Sequence, residues 1–184
     1  MFDGTPDDAI AVYLGGEQAS TRNVSINIDY DEHMLGKSIA WVTKVAFTDK
    51  DDNQFSWNEQ LGVSIQWASH AKIAHPMQIR TVIRYVDSSL AGTAVSNVFY
   101  AAGDSLRHTT KIMIDISTLA PGKYYITLDL LYNEQHEVQD YKNLYTVTQE
   151  LYFEKKPKQE YDVWKHNYWG KVQFPCIGTE SIDN

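Results

Sequence analysis

One cysteine, Cys176, stands in 184 residues, so no disulfide framework can form within the chain and no zinc site can rest on thiolates. That usage is compatible with a reducing compartment. Basic residues are also in short supply: 16 Lys and Arg against 24 Asp and Glu give a formal charge of -8. Nucleic-acid binders draw much of their affinity from cations on phosphates, and anionic membranes attract the same side chains, so this balance argues against both. No apolar run approaches the roughly 20 residues that cross a bilayer. The opening residues from Met1 to Asp8 have no basic stretch followed by an apolar one, so no secretory signal is expected. Asn23-Val24-Ser25 matches a glycosylation acceptor in form and is accordingly read as an ordinary triplet. Nucleophile elbows, phosphate loops, HExxH helices and EF-hand loops are missing. His70 and His75 share one loop, but no neighbouring Cys, Asp or Glu completes a ligand set, so neither a metal nor any other cofactor is expected.

What is present is alternation. Ile112, Ile114 and Ile116 oppose Lys111, Met113 and Asp115, and then Tyr124, Ile126, Leu128, Leu130 and Tyr132 oppose Tyr125, Thr127, Asp129 and Leu131. This is the period of strands with one buried face. Between the two limbs, Pro121 and Gly122 suit a type II turn, which makes a hairpin or a tight sheet corner. Further strands are expected over Val24–Tyr30, Ser38–Asp49, Leu61–Trp67, Met77–Val86, Thr93–Tyr100 and Leu144–Glu154, with a break at Ser88–Gly92. Helical periodicity is confined to the front, where Thr5 can cap, Pro6 can take the first helical position and Gly15-Gly16 can stop a short helix.

Strands separated by turns, without intervening helices, imply an all-β, antiparallel β-sandwich of the jelly-roll or immunoglobulin-like kind, with a short N-terminal helix and an aromatic C-terminal tail. The expected organisation is a linker helix over residues 1–20, the sandwich over 21–156 and the tail over 157–184. Trp164, Tyr168 and Trp169 make that tail too aromatic for a solvated linker, so it should pack on its own sandwich or on a second copy.

Aromatic residues make up 12% of the chain, and most of them, Trp41, Trp67, Tyr85, Tyr124, Tyr132 and Phe153 among them, suit a sandwich core. Tyr125 and Tyr152 fall on the opposite phase, beside Thr127, Asp129, Thr146, Thr148 and Glu150. Strand phase adds Gln66, Arg80 and Arg84 to these outward sets. Rings give flat apolar platforms for the C–H faces of sugars, and the polar groups can meet hydroxyls. Gln66, Arg80, Arg84, Tyr125, Thr127, Asp129, Thr146, Thr148 and Tyr152 are therefore the candidate carbohydrate-binding residues. Asp129 and Glu150 also form a conceivable carboxylate pair for glycoside hydrolysis. A structural or dimerisation sandwich remains the other reading.

Several short motifs together resemble a known family. They are Gly-x-Pro-x-x-Ala-Ile-x-x-Tyr from Gly4 to Tyr13, a strand ending in Asp-x-Asp at Asp49 to Asp51, and Phe55 with Glu59 before Leu61, Val63 and Ile65. Leu-x-Pro-Gly-x-Tyr from Leu119 to Tyr124 and Trp-x-x-x-x-Trp-Gly from Trp164 to Gly170, followed by Pro175, complete the set. The chain resembles the C-terminal region of O-antigen ABC transporter ATP-binding proteins of the Wzt type. The resemblance implies a noncatalytic domain that binds O-antigen polysaccharide, at its nonreducing end or repeat unit, before export. It also implies a homodimer, in some members with an exchanged terminal strand, and a membrane-embedded transporter subunit as partner. The place of action would be the cytoplasmic face of the bacterial inner membrane. Walker A, signature and Walker B motifs are missing, so no ATPase activity is expected of this chain.

Overall fold

The computed structural model describes residues 24–28, 39–103, 105–132, 142–159 and 164–174. The expected front helix lies outside these residues. Among them run nine strands: β1 (Ser25–Asn27), β2 (Ala40–Phe47), β3 (Gln54–Phe55), β4 (Leu61–Ser69), β5 (Met77–Tyr85), β6 (Leu90–Val95), β7 (Arg107–Ile114), β8 (Gly122–Tyr132) and β9 (Lys142–Lys155). A single helical turn, α1 (His166–Trp169), follows. The strands form a four-stranded sheet ordered β1-β2-β4-β7 and a five-stranded sheet ordered β3-β9-β8-β5-β6. All pairs are antiparallel except β3 with β9. The chain is a β-sandwich.

The alternation read from the sequence sets which faces meet. Val63, Ile65 and Trp67 of β4 look across at Ile79 and Ile83 of β5, Tyr124, Ile126, Leu128 and Leu130 of β8, and Leu151 and Phe153 of β9, all within one buried cluster. Rings seal one end: Phe55 meets Phe47 at 5.1 Å and Phe153 at 5.9 Å, both edge to face, and Tyr124 stacks on Phe153 at 5.5 Å. Each such side chain contributes about 1.5 to 3 kcal/mol by leaving water.

Three local features depart from the simple pattern. First, β7 and β8 belong to different sheets, so Leu119–Gly122 is a sheet corner rather than a hairpin. Gly122 there has φ of 157°, well away from the value of a type II turn. Second, β5 and β6 are joined more tightly than expected. Ser88 takes a left-handed φ of 65°, Ser89 N–H donates to Asp87 Oδ1, and β6 therefore begins at Leu90 and ends at Val95. Third, β2 carries a bulge between Val42 and Lys44. Val42 and Val45 both face the core although three positions separate them, so Trp41 and Lys44 both turn outward.

The tail packs on its own sandwich. Ala120 N–H donates to Lys171 O and Gln173 N–H to Thr118 O, which sets Val172 against Leu119 as an isolated bridge. His166 Nε2–H donates to Pro121 O at 2.7 Å, and its ring lies 4.2 Å from that of Tyr85. Of the aromatics expected to anchor the tail, Trp164 and Trp169 contact each other at 5.3 Å, while Tyr168 and Trp169 stay exposed. The anchors are His166, Lys171 and Val172.

Candidate functional site

The two sheets present two outer faces, and the predicted residues divide between them. On the five-stranded sheet, register sets Arg80 beside Asp129 and Asp129 beside Thr146, and sets Arg84 beside Tyr125 and Tyr125 beside Tyr152. Thr127 stands between these rows, opposite Val82. Thr148 lies in β9 of the same sheet, with its side chain outside the described residues. Gln66 is elsewhere. It sits on β4 of the other sheet, between Lys44 and Thr109, so it cannot join the rest in one site.

The polar groups of the five-stranded face bond mainly to one another. Arg80 Nε donates to Asp129 Oδ2 at 2.8 Å and Thr146 Oγ1 donates to Asp129 Oδ1 at 2.7 Å, with Asp129 only 7% exposed. The Tyr152 hydroxyl donates to Glu150, and burial together with that carboxylate pushes it above the usual tyrosine range. Arg84 Nη1 donates to Ser88 O. Tyr125 is 5% exposed and packs against Tyr152 at 5.3 Å, so its ring has no open face for a sugar. Asp129 and Glu150 each serve a neighbour in this sheet rather than facing a shared cleft.

The four-stranded face is different. Its outer rows run Asn27, Lys44, Gln66, Thr109 and, one step along, Trp41, Ala68, Arg107. Ala68 is the small member of its row, and the hollow above it widens into an open groove of about 640 Å³ lined by both rows, with Thr43, Ser69, Leu106 and His108. The walls are held in place from below. Thr43 Oγ1, on the bulge, donates to Gln66 O at 3.1 Å, and His108 stacks on Trp67 at 4.1 Å and 23°. Trp67 in turn donates from Nε1 to Thr110 Oγ1 at 3.0 Å. At the rim Trp41 meets the ring of His70 at 4.6 Å. A half-buried indole, an amide, hydroxyls and two long cations around one hollow can stack a sugar ring and bond its hydroxyls.

Trp41, Lys44 and Arg107 were not among the expected site residues. Trp41 reads as core under strict alternation, and Arg107 precedes the point where the strand was expected to start. The available signal was Thr43-Lys44, two polar residues in succession inside an otherwise apolar strand, which is how a bulge shows in sequence.

No protein-family model matches the sequence, and no curated protein aligns with it. Solved structures do. The chain is similar in fold to the C-terminal domain of Wzt. That crystal structure superposes with a TM-score of 0.58 over 79% of this chain and 86% of its own, at 11% identity, a likeness of fold. The β-sandwich expected from the strand pattern is thus present both in the sheets themselves and in this neighbour. Among the described residues no helix is long and apolar enough to cross a membrane, and no group of three or more His, Cys, Asp or Glu could hold a metal ion.

Proposed function

We propose that this domain binds a polysaccharide of the O-antigen class without altering it, as the recognition domain of an ABC exporter. It would act at the cytoplasmic face of the inner membrane, docked to the membrane-embedded subunit through its parent protein. The groove over Ala68 carries this reading: it joins an aromatic wall, Trp41, to the polar side chains of Lys44, Gln66, Arg107 and Thr109 on the outer face of one sheet. The motifs that resemble Wzt-type proteins and the likeness in fold to the Wzt C-terminal domain support it. Binding in such an open site should be weak, because each sugar hydroxyl exchanges water for protein and a flexible chain loses freedom on ordering. Weak binding permits release into a channel.

Trp41→Ala should reduce affinity for the polysaccharide of the source strain about tenfold, since one stacked ring contributes on the order of 1.5 kcal/mol. Tyr152→Ala, across the sandwich, should leave it unchanged. Isothermal titration of the three proteins measures this, and the glycan should be recovered intact. Affinity insensitive to Trp41, or lost with Tyr152, would move the site to the five-stranded face.

A second reading has an observation of its own. Between the last strands of the sheets, β6 and β7, an apolar groove of about 330 Å³ opens onto Ile79, Ile112 and Ile114, with Val98 and Met113 exposed at its rim. A homodimer joined through this edge would cover it. Sedimentation equilibrium should then show a dimer that Met113→Glu converts to monomer; a wild-type monomer at every concentration contradicts the dimer.

A further inference from the structure

The charge distribution says what kind of polysaccharide the groove takes. The chain as a whole carries -8, yet the groove lining among the described residues includes Lys44 and Arg107 and neither Asp nor Glu. Lys111 continues the cationic edge one row further along β7, opposite Ser64. Elsewhere among the described residues several cations are matched, Lys50 with Glu59, Arg80 with Asp129, Lys156 with Glu154 and Lys171 with Asp87, while Arg84 is held by Ser88 O and Lys158 lies over the Trp57 ring. Lys44 and Arg107 have no carboxylate partner among those residues. They stand on β2 and β7, two strands apart and one row offset, which puts their Cα atoms roughly 12 Å apart.

We infer that the ligand of this groove is a glycan bearing negative charge, held between Lys44 and Arg107 with a sugar ring against Trp41. This rests on the polysaccharide-binding reading above. A field of one sign, focused in a concave site, concentrates the oppositely charged ligand there, even though the rest of this acidic surface repels it. Arg107 offers the planar fork that matches a carboxylate or phosphate, and Lys44 a compact point charge. Neutral Gln66 and Thr109 between them suit the hydroxyls of the same ring. The anionic group can be the carboxylate of a uronic acid or a phosphate in the chain; both present oxygens to the same cations.

The test is NMR titration of the 184-residue chain with two matched pairs of glycans. One pair is an oligogalacturonate and its full methyl ester, and the other a phosphomannan and the same mannan after dephosphorylation. The expected result is that at least one charged member shifts the Trp41 indole signal and binds about tenfold tighter than its neutral partner. Added salt should erode that margin, because it screens the attraction. Which pair shows the margin identifies carboxylate or phosphate. In the Lys44→Gln, Arg107→Gln double variant, the charged glycan should bind no better than the neutral one. Charged and neutral members binding equally, with no salt dependence, would overturn the charge inference and leave the polysaccharide reading standing. Failure of all four glycans to bind would overturn both.

Discussion

Lys155→Met is expected to lower the unfolding free energy by about 3 kcal/mol, and the thermal midpoint by roughly 6 to 12 °C for a chain of this length. Lys155 ends β9 beneath the corner that carries the chain from one sheet to the other, and it is 3% exposed. Its ammonium donates to three carbonyls of the corner, those of Ile116 at 2.7 Å, Ser117 at 2.8 Å and Leu119 at 2.6 Å. An ammonium has three N–H donors, so the corner uses all of them. Burial pushes this lysine down from 10.5 to about 8, with the nearby Asp115 opposing the shift. It therefore remains charged at neutral pH. Methionine keeps much of the stem's packing but removes the ammonium from all three carbonyls; Ile116 O keeps the Leu119 N–H, while Ser117 O and Leu119 O lose this donor at a desolvation cost. Thermal unfolding followed by circular dichroism measures the effect, with Lys123→Met as an exposed control. Equal shifts in the two variants would mean that the corner holds without its lysine.

Gly122→Ala should release the docked tail. A Cβ at this position would lie 2.7 Å from His166 Nε2 and 3.0 Å from the Tyr85 ring, on a backbone whose φ of 157° already disfavours a side chain. The substitution pushes His166 off Pro121 and costs the bond at 2.7 Å. Limited proteolysis should cleave between the sandwich and residue 164 far faster in the variant, while the sandwich fragment persists. Mild acid should act in the same direction. Burial first, and then the Lys171 cation, hold the His166 imidazole below its ordinary 6.5, against the opposing influence of the Pro121 and Gly170 backbone and Asp87. Tyr85 and Tyr124 complete its surroundings. A depressed histidine favours docking at pH above the value of the undocked chain, and that contribution is lost as pH falls below it. Proteolysis of the wild type should hence accelerate below about pH 6.5 and that of His166→Phe should not. Equal acceleration in both would assign the effect to another group.

How far the sequence reached depended on whether strands kept their period. In β5 and β8 the inward sets from Ile79 to Tyr85 and Tyr124 to Tyr132 fall where alternation puts them, because one oily face must be covered; in β9 Tyr145, Val147, Leu151 and Phe153 do so too, although exposed Gln149 interrupts the series where the register with β8 shifts. In β2 the bulge at Thr43 reversed the phase, and the period alone placed Trp41 in the core instead of on the groove wall. The tail was legible as a packed segment from its aromatic content, but not its anchors: His166 and Lys171 hold it through hydrogen bonds to a corner distant in sequence. Grouping outward polar residues had a similar limit. Phase tells which way a side chain points from its own strand, not which sheet the strand joins, so Gln66 was grouped with residues that lie across the sandwich. Nor does it reveal that Asp129 is bonded to Arg80 and Thr146.

The most direct test of the groove as the binding site is residue-resolved NMR of the domain titrated with polysaccharide from its source strain. Shifts are expected to cluster on Trp41, Lys44, Gln66 and Arg107, with Arg84, Thr127 and Tyr152 unmoved. Shifts on the latter set, or none at millimolar repeat-unit concentration, would contradict it.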